Sequence, residues 1–190
     1  MILPIVGYGH SVLRVKTKDI DETYPNLKQL VEDMFETMYK ANGIGLAAPQ
    51  INLPISVLVI DADPLKENYP EGEGFKKAMI NPEILELYGE DESFEEGCLS
   101  LPGINENVVR KNKVRVRYFD EDFKEYEQEL FGIQARIFQH EFDHLNGKVF
   151  TDRLSNIKRA FLKKKLNDIA NNKVRPAYKM VRFGNSSQST

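Results

Sequence analysis

The chain has 190 residues, of which 41% are hydrophobic and 29% are charged, an ordinary balance for one globular domain. No apolar stretch approaches the ~20 residues that a membrane helix needs, so we expect no membrane contact. A single cysteine excludes an internal disulfide and is typical of a reducing compartment, which predicts a cytoplasmic protein. The net charge is only −3, but it is unevenly distributed along the chain.

The N-terminal half contains one clear helix and one clear strand. In residues 26–41 the apolar positions recur at steps of three and four, which predicts an amphipathic helix closed by Gly43. Residues 55–60 form a short, mostly apolar and β-branched run, which predicts a buried strand. Residues 61–74 are rich in Pro, Gly and acids, which predicts an exposed loop.

The C-terminal half predicts a hairpin followed by two helices. Residues 114–118 alternate apolar and basic side chains, and an acidic turn leads into a second strand that ends near Leu130. A helix is expected over residues 133–145, with Gly147 placed to stop it. Another is expected from Ser155, a good N-cap, to Asn172.

Several strands in series, with helices between and after them, predict an α+β fold. We expect antiparallel sheets packed around the central helix 133–145, with a C-terminal helix. Residues 1–172 would form a single catalytic domain that includes the C-terminal helix 155–172. Residues 173–190 are expected to be a flexible tail.

Positive charge is concentrated at the C-terminal end. Residues 155–190 contain nine Lys or Arg and one acid, Asp168. Such a cluster is typical either of a solvated helix face or of a segment that meets a polyanion, and the sequence leaves both interpretations open.

The strongest chemical signal is the sequence His140-Glu141-Phe142-Asp143-His144. Residues four apart on a helix lie one above the other, so both imidazoles can bind one ion. Glu141 lies near the same face and can exchange protons with a water molecule without binding the metal. Two of the three histidines of the chain form this pair, which favours a metal site over two structural histidines.

A catalytic metal usually needs a third protein ligand. The position six residues after His144 is Phe150, not the His of metzincin proteases, and no Glu follows Glu141 as in thermolysin-like proteases. Cys98 is the only soft ligand upstream, and Gly97 before it permits a tight bend. We therefore predict Cys98, His140 and His144 as the metal ligands.

Residues 43–50 form the segment Gly-Ile-Gly-Leu-Ala-Ala-Pro-Gln. Its simplest interpretation is a helix-to-strand connection. The small residues Gly43 and Gly45 around Ile44 would also allow an extended peptide to pair there as an added strand. Gln50 offers a side-chain amide to a developing oxyanion.

Together these three segments resemble the peptide deformylases. The family patterns Gly-Ile-Gly-Leu-Ala-Ala ending in Gln, Glu-Gly-Cys-Leu-Ser, and Gln-His-Glu-x-Asp-His-Leu are met by residues 43–50, 96–100 and 139–145. The similarity extends from about residue 2 to residue 172. The C-terminus resembles that of the bacterial subgroup that ends in a helix.

The resemblance implies a metal-dependent hydrolase that removes the N-terminal formyl group from formyl-methionine of nascent polypeptides. A metal-bound hydroxide would attack the formyl carbonyl, with Glu141 as general base and acid. Gln50 and the backbone N–H of Leu99 would stabilise the oxyanion. The substrate would be bound by the residues Gly43, Ile44, Gly45, Ile133 and Ile137.

The resemblance also implies one divalent metal ion, with Fe²⁺ expected and Zn²⁺, Ni²⁺ or Co²⁺ as substitutes. It implies ribosome docking through the basic helix 155–172, and we expect a monomer. Two positions depart from the family pattern. Pro102 is followed by Gly103 where some members soon carry Arg, and Arg136 stands where some members have an aliphatic residue.

Two rival hypotheses remain at this point. An ordinary His-Glu-x-x-His metallopeptidase would lack a downstream ligand here. A ribosome-associated binding protein would explain the basic helix but leave Glu141 and Gln50 without a role. The sequence assigns His10 only a surface or structural role. It also does not decide whether Asp143 orients a neighbour or caps the surface.

Overall fold

A computed structural model describes residues 1–181. The elements in chain order are β1 (Ile5–Val6), α1 (Leu27–Lys40), β2 (Gly45–Ala47), β3 (Val57–Asp61), β4 (Lys76–Gly97), β5 (Asn105–Phe119), β6 (Glu125–Phe131), α2 (Gly132–Leu145), α3 (Asn156–Ala170) and β7 (Met180–Val181). Short 3-10 helices connect them at Ser11–Arg14, Ala48–Ile51, Asp63–Leu65, Pro70–Gly72 and Phe150–Arg153.

Five strands form an antiparallel sheet in the order β2-β3-β4-β5-β6. The predicted α+β class is confirmed, and so are the three predicted helices, the buried strand and the hairpin. Ser155 caps α3 as expected, because its side chain accepts a hydrogen bond from the backbone N–H of Lys158 at 3.3 Å.

Strand β3 explains how the sheet lies between two helices. Every one of its residues is buried, since side chains on both of its faces meet a core. Leu58 and Ile60 face the cluster that contains Phe138 of α2, whereas Val57 and Val59 face the cluster of α1. The sheet therefore supports α2, the helix that carries the His pair.

The C-terminal helix covers a third cluster. Its buried side chains are Leu162, Leu166 and Ile169, which pack with Leu101 and Phe150. After α3 the chain returns along the body of the protein. Strand β7 pairs in parallel with β1, and Ile5 N–H donates to the carbonyl of Lys179 at 2.9 Å.

Within the predicted tail 173–190, Met180 and Val181 pair with Ile5 and Val6 of the N-terminal strand. This pairing joins two-residue strands that are far apart in the sequence, so no local sequence pattern predicts it. The rest of the predicted tail, residues 182–190, lies outside the described residues.

Candidate metal centre

The predicted ligands Cys98, His140 and His144 lie together. Cys98 directly follows β4, and both histidines project from α2 one turn apart. Their ligand atoms all lie within 4.8 Å of one another, and Cys98 Sγ is 3.3 Å from His144 Nε2. One thiolate and two imidazoles can thus converge on a single ion.

Glu96 fixes the orientation of His140. Its Oε2 lies 2.9 Å from His140 Nδ1, which leaves Nε2 of that ring for an ion. A carboxylate behind a ligating imidazole is a common arrangement in metal sites. Glu96 also accepts from Arg110 Nε at 2.6 Å and from Arg136 Nη1 at 2.9 Å. Burial raises its pKa, but the hydrogen bonds from Arg110 and His140 outweigh burial and hold the pKa well below its usual range.

Asp143 extends this network on the far side of Arg110. It accepts from Arg110 Nη1 at 2.8 Å and from Arg153 Nε at 2.6 Å, and it is buried. Of the two roles left open by the sequence, its contacts match the orientation of a neighbour. Burial raises the pKa of Asp143, and the hydrogen bond from Arg153 and the charge of Arg110 lower it by more.

His10 has a structural contact, since Nδ1 accepts from Val12 N–H at 3.3 Å.

His144 is 0% exposed. Burial, followed by the charge of His140, lowers its pKa to about 3, so it is neutral and able to donate its lone pair to a metal. Burial also opposes a charged His140, but hydrogen bonds to Cys98 and Glu96 raise the pKa of His140 above its usual value. Metal binding releases such a proton.

The carboxylate of Glu141 is buried beside the ligands. Among residues 1–181, its Oε2 has no hydrogen-bond partner. Burial raises the pKa of Glu141 to about 7, and the charge of His140 opposes that rise. A carboxyl group with this pKa can both accept and donate a proton near neutral pH.

Gln50 reaches the ligand loop from the 3-10 helix Ala48–Ile51. Its Oε1 accepts from Ala47 N–H at 2.9 Å, which orients the amide. Its Nε2 then lies 3.2 Å from Ser100 Oγ and 3.6 Å from Cys98 Sγ. The amide N–H groups therefore point toward the candidate metal centre.

A cleft of about 660 Å³ opens over the centre. All of the predicted site residues line it except His144, whose Nε2 is in contact with the thiol of Cys98. The apolar part of its lining includes Ile133 and Ile137 of α2 together with Phe94.

Comparison with known proteins gives one consistent result. The family model described as polypeptide deformylase matches residues 2–160. The chain belongs to this family. Peptide deformylase of Flavobacterium psychrophilum is 46% identical over 187 residues, covering 95% of this chain and 96% of the relative. The solved peptide deformylase of Legionella pneumophila is 38% identical with a TM-score of 0.79, covering 92% of this chain and 99% of that one.

Membership makes the protein a hydrolase of the peptide deformylase family, which removes the N-formyl group from nascent peptides with one metal ion. The donor set found here fits such an ion. Cys98, His140 and His144 supply three ligands, and the oriented His140 is already bonded to Glu96. Three protein ligands leave a coordination position for a water or substrate.

The sequence does not predict several residues around this deformylase-family site. It shows Glu96 only as part of a motif and Arg136 only as a departure from the family pattern. Arg110 sits on the buried face of β5 with Val108, and a charged residue at an inward position of an alternating strand is a signal for an internal ion pair.

No helix within residues 1–181 is both long and apolar enough to cross a bilayer.

Proposed function

We propose that this hydrolase removes the formyl group from N-terminal formyl-methionine of nascent polypeptides, with Glu141 as the proton-transferring residue. One observation carries the proposal. The buried carboxylate of Glu141 stands beside a Cys98, His140 and His144 cluster at the base of a cleft large enough for a peptide end.

Cys98, His140 and His144 would hold the ion, and we propose Fe²⁺, with Zn²⁺, Ni²⁺ or Co²⁺ as substitutes. When bound, the ion supplies Lewis acidity that polarises the formyl carbonyl and acidifies water. A thiolate ligand next to Fe²⁺ makes the site sensitive to oxidation.

The residues around the ion transfer the proton and stabilise the charge on the formyl oxygen. Glu141 accepts a proton from the attacking water and then delivers it to the amine that leaves. Gln50 Nε2 and the backbone N–H of Leu99 donate to the oxygen of the formyl carbonyl as its charge grows. Removal of one such donor typically costs about 2.7–4 kcal/mol of transition-state stabilisation.

The substrate backbone would pair along the segment that begins β2. Strand β2 is at the edge of the five-stranded sheet, so an extended peptide can be added there. We assign Gly43, Ile44 and Gly45 to this contact. Ile133 and Ile137 would contact the methionine side chain, since they form part of the apolar lining of the same cleft.

The basic helix α3 would bring the enzyme to its substrate at the ribosome. Lys163, Lys164 and Lys165 are all exposed on it, and clustered positive charge attracts the phosphates of RNA. We further propose that the protein acts as a monomer in the cytosol, where nascent chains emerge.

Formate release tests this function. Anaerobically purified protein would be given a short formyl-methionyl peptide and, separately, its acetyl-methionyl analogue. We expect rapid formate release that a chelator abolishes, little reaction with the acetyl peptide, and no formate release from Cys98→Ala. Protein with one metal per chain that releases no formate would contradict the proposal, and cleavage of a peptide bond instead would indicate a metallopeptidase.

A further inference from the structure

The returning C-terminal segment, residues 173–181, forms part of the cleft. Val174, Arg175, Pro176 and Tyr178 line it together with the metal-site residues. The end of this segment is anchored by the pairing of β7 with β1. A Cβ on Gly7, just after β1, would lie 3.1 Å from Met180 Sδ, so the two segments pack closely.

The same segment is hydrogen-bonded to the loop that contains Cys98. The hydroxyl of Tyr178 donates to the carbonyl oxygen of Leu99 at 2.6 Å. On the next residue, the carbonyl of Ser100 accepts from Tyr8 N–H at 2.8 Å. Within the loop, Leu101 N–H donates to the carbonyl of Cys98 at 2.9 Å. Residues 98–101 thus form a turn whose carbonyls are held at consecutive positions.

We propose that Tyr178 is a positioning residue that fixes the turn 98–101, and through it the direction of the Leu99 N–H. This inference rests on the proposed function, in which that N–H donates to the oxyanion. Tyr178 would not contact the reacting atoms of the substrate.

The physical argument concerns rotation of Leu99. The N–H of Leu99 lies in the peptide plane of the Cys98 carbonyl, which Leu101 N–H holds, and the Leu99 carbonyl lies in the next plane, which Tyr178 holds. With the planes on both sides of the Leu99 α-carbon anchored, the direction of the N–H is restricted. A donor helps catalysis only if it is already aimed at the position where charge develops. The contact of Tyr178 with Leu99 is partly buried and joins residues 79 positions apart in the chain, so it adds a long-range anchor to the hydrogen bond within the turn.

The test uses the full-length, metal-loaded protein and the variant Tyr178→Phe, which keeps the ring and loses the hydroxyl. The control is Tyr118→Phe, which loses a hydroxyl bond to Gln128 of 2.7 Å outside the cleft. We expect Tyr178→Phe to lower kcat about 10- to 100-fold with KM within about twofold, as a misaligned group does. The control should keep both constants.

Hydrogen exchange provides a readout that does not depend on turnover. The amide of Leu101, which is hydrogen-bonded to the carbonyl of Cys98 across the turn, should exchange at least about tenfold faster in Tyr178→Phe than in the wild type or in Tyr118→Phe, because the turn opens more often. Unchanged exchange, or a kcat within twofold of the wild type, would overturn the proposal. If the wild type itself releases no formate, the proposed function fails, while exchange still decides whether Tyr178 holds the turn.

Discussion

Gly45 leaves the space that the carboxylate of Glu141 occupies. A Cβ atom placed on Gly45 would contact Oε1 of Glu141 and lie 2.8 Å from its Cδ, closer than real Cβ atoms come. Glycine at this position therefore has a steric role toward the proton-transferring residue, in addition to the pairing role expected from the sequence. The carboxylate is buried, so a methyl group on residue 45 would force it to shift.

Gly45→Ala should displace the Glu141 carboxylate and lower kcat/KM about 100-fold, the effect of roughly a 1 Å misplacement. Glu141→Asp withdraws the carboxylate by one methylene and makes room for the new methyl group. In that background we expect Gly45→Ala to cost less than about tenfold, as coupled neighbours do. Steady-state kinetics of the wild type, the two single variants and the double variant give the coupling energy between the two positions. Additive losses would show that the methyl group acts elsewhere.

The pKa of Glu141 sets the acid side of the pH profile. Burial raises it to about 7, and a bound cation would lower it. The residue must be ionised to accept a proton, so activity is present above its pKa and lost as pH falls through it. We expect kcat/KM to fall about tenfold per pH unit on an acid limb at or below pH 7.

Glu141→Gln should lower kcat/KM about 10²- to 10⁴-fold and remove that limb. Glu95→Gln is the matched control, because Glu95 is exposed and lines the same cleft. Its acid limb should coincide with that of the wild type. An acid limb that survives at the same midpoint in Glu141→Gln would assign the titration to another group.

At the scale of elements, the helices could be predicted and the longest strand could not. Helices α1 and α2 show regular apolar spacing, so their bounds agree with the sequence to within one residue. Strand β4 spans 22 residues, yet much of it is exposed and acidic. Its pairing with β5 is also shifted in register at several points. Irregular pairing of this kind breaks the period-two pattern by which strands are recognised.

The candidate site follows the same division. The His pair and Glu141 follow from spacing on one helix, which is local information. The partners of Glu96 come from β5 and α2, at positions 110, 136 and 140, and only the pairing of β4 with β5 and the packing of α2 against β5 bring them together. The contact of Tyr178 with Leu99 depends on the parallel β1–β7 pair, which is equally non-local. Spacing predicts the two histidines, and Cys98 follows from the lack of another soft ligand in the sequence, whereas the residues that orient the ligands require the fold.

Helix α3 carries the predicted ribosome contact. Changing Lys163, Lys164 and Lys165 to Glu should weaken co-pelleting with ribosomes at moderate salt by about tenfold or more, because each lost phosphate contact also removes its counterion release. The control changes three lysines outside α3 to Glu: Lys16, Lys18 and Lys40, which are exposed elsewhere on the surface. This variant has the same net charge as the first and should still pellet with ribosomes. Equal loss in both variants would indicate a general charge effect, and no loss in the first would contradict docking through α3.

At the scale of the whole molecule, the candidate metal centre joins two layers. Cys98 follows the longest strand of the sheet, and the histidines belong to the helix packed against that sheet. An ion bound by all three residues therefore links sheet to helix in the folded chain only. Any ligand that binds the native state alone stabilises it, by about 4 kcal/mol when its free concentration is 1,000 times its Kd.

Removal of the ion should therefore lower the melting temperature by roughly 10 °C, since 1 kcal/mol corresponds to about 2–4 °C in a domain of this size. Calorimetry of the metal-loaded protein with and without a chelator measures this shift. Cys98→Ala should melt at one temperature in both conditions, because the two histidines alone do not retain the ion that the chelator would otherwise remove. The shift should also shrink below neutral pH, where protons compete with the ion for the thiolate and the imidazoles. A chelator that removes one metal per chain without moving the melting temperature would mean that the sheet and α2 are held together by their packing alone.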